Sequence, residues 1–204
     1  MKVWLPLGAL YAVFVIWYGG FGSPLSEDEV QRIAQRLEAV APTPELAARL
    51  LEFARADDGR EFFMVNLNRH RAEPRYADGR DPGGASAEEV ERRYTSRMVP
   101  RLPARACHPW IAVEPILALT GDASAPEYDR ATLVRYRSRR DFLDIVATDD
   151  WREDAKHKWA ALEVAYSLPA QPAIVLPGPR AAVLGILFAL GVALRTAGRR
   201  RNPR

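Results

Sequence analysis

The chain has 204 residues, 48% of them hydrophobic and 27% charged, which excludes a wholly disordered protein. Seven of its 29 basic residues and none of its 26 acidic residues lie in residues 1–21 and 173–204, so residues 22–172 carry a net charge of about −4. This middle segment offers no basic face for phosphate, and no nucleic-acid partner is predicted.

The first predicted element, in residues 1–22, is a transmembrane helix. Val3 to Gly22 contains no charged residue, and a helix of that length is about 30 Å long, which matches the hydrocarbon core of a bilayer. Trp4 and Trp17 lie near its two ends, where aromatic rings favour the membrane interface. A cleavable signal peptide with a cut at Ser23 is the alternative.

Residues 23–60 are predicted to form a helical hairpin. Ser26 and Glu29 fit a capping box, and apolar residues then recur at helical spacing to about Val40. Pro42 interrupts this pattern, and a second helix is expected over residues 43–56.

The pattern changes to alternating strands in residues 61–172, the predicted main domain. The expected elements are a strand at 62–68, a helix at 86–99, strands at 110–119 and 131–137, helices from Ser138 and at 150–162, and a strand at 164–168. Ser138 with Asp141 is an acidic variant of the capping box, so "LVRYRSRRDFLDIV" is a strand that runs into a helix. The order strand, helix, strand, strand, helix, strand predicts an α+β, ferredoxin-like domain.

Residues 173–198 are predicted to contain a hinge and a second transmembrane helix, with fourteen uncharged residues between Arg180 and Arg195. The alternative is an apolar helix that packs on the domain or lies in the interface. The tail 199–204 is basic, so the positive-inside rule places both termini in the cytoplasm and the main domain on the other side of the inner membrane.

Several segments of the main domain resemble a known family. "FFMVNLNRHR", "YADGRDPGG", "EVERRYTSRMVPRL" and "YDRATLVRYRSRRDFLDIVATDDWREDAKHKWAALE" look like a bacterial family of short domains of unknown function in the dimeric α/β-barrel superfamily. The resemblance covers about residues 61–170 and leaves out the hairpin and both spans. It implies a ferredoxin-like fold and a homodimer whose sheets face one another. The superfamily includes cofactor-independent monooxygenases, haem-degrading enzymes and lactone isomerases, but the family itself has no settled activity.

The predicted site lies on the open face of the sheet, where Met64, Trp110, Ile116 and Leu133 would leave a large apolar patch without a partner sheet. Polar groups among these residues are Asn66, Glu114 and Arg135, and Tyr94 can join them. Between facing sheets these polar groups would bind an oxyanion or move a proton, and a small hydrophobic ligand would occupy the enclosed cavity. An ion pair that fixes strand register or dimer docking is the alternative.

His157 is the second catalytic candidate beside Glu114, because the family tends to have a histidine in this segment. The apolar stripe of its helix instead favours a solvated or hydrogen-bonded structural role. The three histidines and the single cysteine, Cys107, have no metal-ligand spacing, and no cofactor is predicted.

Two hypotheses follow from the sequence. The first is a membrane-anchored dimeric module that binds a ligand or mediates dimerisation, with the lipid bilayer as a partner. The second is a cofactor-independent oxygenase or isomerase that acts on a small hydrophobic compound.

Overall fold

The computed structural model describes residues 3–19, 22–117, 119–120, 127–173 and 178–201, with side chains up to residue 197. The chain forms two units, one of residues 22–171 and one of the terminal segments 1–21 and 172–204. In chain order the elements are α1 (Trp4–Gly19), α2 (Glu27–Val40), α3 (Pro44–Arg55), β1 (Phe62–His70), α4 (Ala87–Met98), two short 3₁₀ turns, β2 (His108–Val113), β3 (Arg130–Tyr136), α5 (Arg139–Val146), α6 (Asp149–Ala161), β4 (Leu162–Ala170) and α7 (Pro179–Arg201).

The domain of residues 22–171 is a mixed α+β structure built on one four-stranded antiparallel sheet. The strand order is β2-β3-β1-β4, so β1 lies between β3 and β4, and β2 is at an edge. Met64 pairs with Val134 on β3 and with Pro169 on β4, which fixes the register across the three strands. The prediction of a mixed α+β domain is confirmed.

Serine caps fix three helix starts where the sequence predicts them. The side chains of Ser26 and Ser86 each accept a hydrogen bond from the backbone N–H of a glutamate three residues on. The carboxylate of each glutamate in turn accepts a hydrogen bond from the backbone N–H of the serine. Ser138 accepts from the N–H of Asp141 at the start of α5. Each cap satisfies backbone donors that the first helical turn leaves unpaired.

The second predicted strand differs from the observed one. It begins earlier, at His108, and ends at Val113 rather than at residue 119, because its pairing with β3 stops there. A bulge between Pro109 and Ile111 shifts its register. Most of the predicted connection at 120–127, part of the hinge near Pro177, and the side chains of the basic tail lie outside the described residues.

The core of the domain lies between the helices and one face of the sheet. The rings of Phe62 and Tyr136 stack at 5.2 Å on neighbouring strands, and Phe142 of α5 meets them edge-on at 5.9 and 5.0 Å. Met64 is on the same face and is buried with them. The prediction that Met64 belongs to the open face is therefore wrong, because Met64 lies on the face of the sheet that packs against the helices.

In the terminal unit, α7 is long and apolar enough over Pro179–Ala197 to cross a membrane, judged by length and composition within the described residues. Helix α1 is apolar but shorter, at 16 residues. The two helices pack on each other: the rings of Trp4 and Phe188 are 5.6 Å apart, and the Arg180 guanidinium lies 5.2 Å from the ring of Tyr18.

Candidate functional site

A cavity of about 960 Å³ lies between the sheet and the helices that cover it. Residues of α3, α4 and α6 line its helical side, and β1, β3 and β4 form its floor. Successive side chains of a strand point to opposite faces, and on β1 and β3 only alternate residues line this cavity. The cavity therefore lies on the helical side of the sheet, whereas the sequence predicts one between two facing sheets.

The floor changes from apolar to polar along β1. Three cross-strand rows make up this floor: the apolar row of Met64, Val134 and Pro169, the hydroxyl row of Asn66, Thr132 and Ser167, and the charged row of Asn68, Arg130 and Ala165. Neighbouring rows are two residues apart on each strand, which is roughly 7 Å. One wall of the cavity thus presents hydrocarbon and hydrogen-bonding groups side by side.

The charged row is held by Glu91 of α4, a carboxylate that is only 3% exposed. Its oxygens lie 2.9 Å from Asn68 Nδ2, 2.8 Å from His70 Nε2 and 2.9 Å from an Arg130 nitrogen. A carboxylate only accepts hydrogen bonds here, so Asn68 must direct its NH₂ group at Glu91. Asn68 Oδ1 is then left buried, with no hydrogen-bond partner among the described residues.

Lys158 of α6 places its amine against the hydroxyl row. Its Nζ is 3.4 Å from Ser167 Oγ, 5.9 Å from the ring centre of Tyr94 and 5.2 Å from that of Trp159. Burial among these groups lowers the pKa of Lys158 to about 8, and the negative charge of Glu91 opposes that shift only in part. A lysine in a cavity with a lowered pKa is a recurrent feature of functional sites.

Three of the predicted site residues line this cavity. Asn66 is in the hydroxyl row, where it donates to Thr132 and accepts from Ser167. Tyr94 faces the cavity from α4, and burial raises its pKa. Glu114 is at the rim, where its 73% exposed carboxylate accepts a hydrogen bond of 3.1 Å from Arg130.

Arg135 does not belong to this group, and its predicted place beside Asn66 is wrong. It pairs in register with Phe63, so it lies on the opposite face of the sheet from Asn66. The residue is 1% exposed, pairs with the carboxylate of Glu61 and donates to the carbonyl of Ala106 at 2.7 Å. These contacts match the structural ion pair given as the alternative, now with Glu61 as the partner.

His157 is also outside the cavity lining. It is buried, and its Nδ1 lies 2.5 Å from the hydroxyl of Tyr76. Burial lowers the pKa of His157, and the charges of nearby arginines lower it further. The imidazole is therefore neutral at neutral pH and hydrogen-bonded, as the structural alternative describes.

Glu91 and Lys158 are not among the site residues that the sequence predicts, although one signal in the sequence points to Glu91. Ala87, Val90, Tyr94 and Met98 define the apolar stripe of α4, and Glu91 follows Ala87 by four residues on the same stripe. An acidic residue on a buried stripe requires a partner, which is an indicator of a site. Lys158 had no such signal, because its surroundings come from α4 and β4.

Comparisons with known proteins give structural neighbours but no family. No protein-family model and no curated protein matches the chain. The crystal structure of RPA0582, a protein of unknown function from Rhodopseudomonas palustris, is 22% identical, with a TM-score of 0.55 over 68% of this chain and 98% of that one. The crystal structure of methylated RPA0582 is 24% identical, with a TM-score of 0.56, and the match covers 68% of this chain and 96% of that one. This similarity shows the fold alone.

Proposed function

We propose that this chain is a membrane-anchored protein whose cavity binds a small amphipathic molecule. The observation that carries the proposal is the floor of the cavity, where an apolar row, a hydroxyl row and a charged row follow one another. A molecule with a hydrocarbon part and a polar group can match this gradient in one orientation only. The volume of the cavity, about 960 Å³, is at the upper end of the range of small-molecule sites.

Unused hydrogen-bonding capacity supports a ligand with a polar group. Among the described residues, Asn68 Oδ1 is buried without a hydrogen-bond partner, and the Lys158 amine donates one hydrogen bond, to the Ser167 hydroxyl. Buried polar groups are otherwise paired in most proteins, so an additional molecule is the simplest source of partners. The two predicted catalytic candidates are not at this position, since Glu114 is at the exposed rim and His157 is elsewhere.

The membrane anchor in this proposal is a hairpin of two spans, α1 and α7. Large apolar side chains of both helices are exposed, among them Leu5 at 76%, Val13 at 63%, Ile186 at 66% and Phe188 at 63%. Such surfaces are favourable in lipid and costly in water. The arginines of the tail favour cytoplasmic termini and an extracytoplasmic domain. Fractionation tests the anchor: the full-length protein should stay in the membrane pellet after alkaline carbonate extraction.

The proposal also includes a ferredoxin-like homodimer of the dimeric α/β-barrel type. The strand order β2-β3-β1-β4 fits that fold, and the face of the sheet away from the helices carries Trp110, which packs against Phe63 and is 42% exposed. A second copy that covers this face removes apolar surface from water. Trp110→Asp should convert the dimer to a monomer in mass photometry of nanodisc samples, and an unchanged mass would count against the facing sheets.

A pair of tryptophan substitutions on one strand tests the binding cavity. Thr132→Trp places a large side chain in the hydroxyl row, whereas Leu133→Trp places it on the opposite face of the sheet. Native mass spectrometry of the full-length protein should find a co-purified small molecule with wild type and Leu133→Trp and lose it with Thr132→Trp. Ser167→Phe gives a second way to fill the row, and protection of Cys107 from thiol reagents checks that each variant is folded.

A wild-type protein that carries no small molecule, and that also fails to bind any amphiphile added in excess, would refute the proposed function.

A further inference from the structure

The basic residues around the cavity differ in how their charges are balanced. Arg130 lies between the carboxylates of Glu91 and Glu114, and Arg139 is 3.9 Å from the carboxylate of Asp57. Lys158 has no carboxylate within ion-pair distance in the described part of the chain, and its one hydrogen bond goes to the neutral Ser167 hydroxyl. Lys158 is thus a half-buried cation that the protein leaves without a counter-charge.

The groups next to Lys158 are already satisfied by one another. Ser167 donates to Asn66 Oδ1 at 2.9 Å, and Asn66 Nδ2 donates to Thr132 Oγ1 at 3.2 Å. An ammonium carries three donors, so the Lys158 amine retains two N–H groups for a ligand. Within the hydroxyl row, the strongest unused donor is therefore this amine.

We propose that the cavity ligand is an amphipathic carboxylic acid, with its carboxylate bound to the Lys158 amine and its hydrocarbon part over the apolar row. This inference rests on the proposed binding function and names the headgroup that the site selects. The two unused N–H groups suit the oxygens of one carboxylate, and charge-assisted hydrogen bonds of this kind are shorter and stronger than neutral ones. A cationic headgroup would be repelled, and a neutral alcohol would leave the ammonium without a counter-charge.

The apolar side of the cavity fits the other half of such a molecule. The hydroxyl row is next to the apolar row of Met64, Val134 and Pro169, and Leu50 and Phe53 of α3 add further hydrocarbon to the lining. A chain that starts at Lys158 and runs across these residues buries its methylene groups, each of which contributes favourably to binding.

The charge of Lys158 should control the affinity. Other titratable or charged groups line the cavity: Arg49, Glu52, Glu91, Tyr94, Glu114, Arg130, Tyr136, Arg139 and Tyr166. None of the carboxylates in this set is within ion-pair distance of the Lys158 amine. The carboxylic acid itself is ionised above about pH 5, so near neutral and alkaline pH the lysine is the group whose charge changes.

The test measures binding of lauric acid and of dodecanol, which share a hydrocarbon chain and differ in the headgroup. Full-length protein in lipid nanodiscs is titrated with each compound, with empty nanodiscs as the blank. Lys158→Met should weaken binding of laurate by about tenfold to a hundredfold, the range expected for a charged hydrogen bond, and change dodecanol binding much less. Lys156→Met is the matched control, because Lys156 is on the same helix but pairs with Glu153 and Asp78 at the surface.

The pH dependence gives a readout that a merely structural lysine would not produce. Burial lowers the pKa of Lys158 to about 8, so laurate affinity should be constant from about pH 6 up to that value and fall by up to about tenfold per pH unit above it. Lys158→Arg, whose side chain stays charged, should bind laurate with a flat profile over the same range.

Equal affinity for laurate and dodecanol, with neither changed by Lys158→Met, would overturn the headgroup assignment while the binding function stands. Binding of neither compound to the wild type, in a protein that carries no other ligand, would overturn both.

Discussion

Removal of the Glu61 carboxylate should destabilise the sheet edge that holds Cys107. Glu61 is the counter-charge of Arg135, which is 1% exposed and also donates to the carbonyl of Ala106, next to Cys107. Breaking a buried ion pair from one side costs about 3–5 kcal/mol, because the remaining charge stays in a poorly solvated place. Because the Glu61 side chain is 22% exposed, water can replace part of its interaction with Arg135. We therefore expect Glu61→Gln to lower the free energy of unfolding by about 2–3 kcal/mol.

Cys107 provides the assay for this prediction without a denaturant. It is the only cysteine of the chain and is buried, so a thiol reagent reaches it only when its segment opens. Burial also raises the pKa of Cys107 to about 11, which suppresses the reactive thiolate in the closed state. When opening is in rapid equilibrium, the labelling rate follows the open population. Glu61→Gln should then label about 30-fold to 150-fold faster than wild type.

Two controls make the result specific. Asp144→Asn removes an ion pair whose two side chains are 42% and 41% exposed, and it should change labelling by less than about fivefold. The double variant Glu61→Leu, Arg135→Met removes both charges and should label more slowly than Glu61→Gln, because no buried charge is left unpaired. A Glu61→Gln variant that labels at the wild-type rate would refute the assignment of Arg135 as a buried charge that depends on Glu61.

The same labelling assay on full-length protein tests three other features. The pKa of His157 is lowered in the folded protein, so the unfolded chain binds a proton at this residue more readily. As the pH falls below about 6.5, the wild type should therefore lose stability, and His157→Gln should lose less. Equal dependence of stability on pH in the two proteins would contradict this. Gly59 has φ +72°, and a Cβ there would overlap the backbone of Gly22, so Gly59→Ala should lower the free energy of unfolding by more than about 2 kcal/mol. Gly79 has φ +76° but open space around it, so Gly79→Ala should lower it by only about 1–2 kcal/mol. Ser86→Ala should cost about 1 kcal/mol by removing a helix cap and Ser86→Asp should restore it, so a neutral alanine variant would show that the cap is dispensable.

Local signals in the sequence were sufficient for most of the secondary structure. The serine caps at Ser26, Ser86 and Ser138 and the change from alternating to helical spacing after Tyr136 are encoded within a few residues, and they appear in the fold as predicted. The end of β2 was not encoded in this way. Its apolar pattern continues to residue 119, but its pairing with β3 ends at Val113, and a strand ends where its partner does.

The site required pairing information that a single sequence does not contain. Alternation alone correctly separates Asn66 from Leu67 and Arg135 from Tyr136, but it does not say which face of β1 matches which face of β3. The register pairs Phe63 with Arg135, so Asn66 and Arg135 lie on opposite faces. One such uncertainty was enough to place Arg135 on the same face as Asn66 and to assign it a binding role instead of a structural one.

The cavity exists because side-chain size, as well as polarity, changes along the floor. Beyond the apolar row, Phe62 and Tyr136 stack on each other and against Phe142, and these rings fill the space between sheet and helices. Asn66 and Ser167, further along, are too short to reach the helices, so the space above them stays open. A protein that needed only a stable core would gain from larger apolar residues at these two positions. Small polar residues beside an unpaired lysine instead create room and hydrogen-bonding groups together, which is the combination that binding of an amphipathic acid requires.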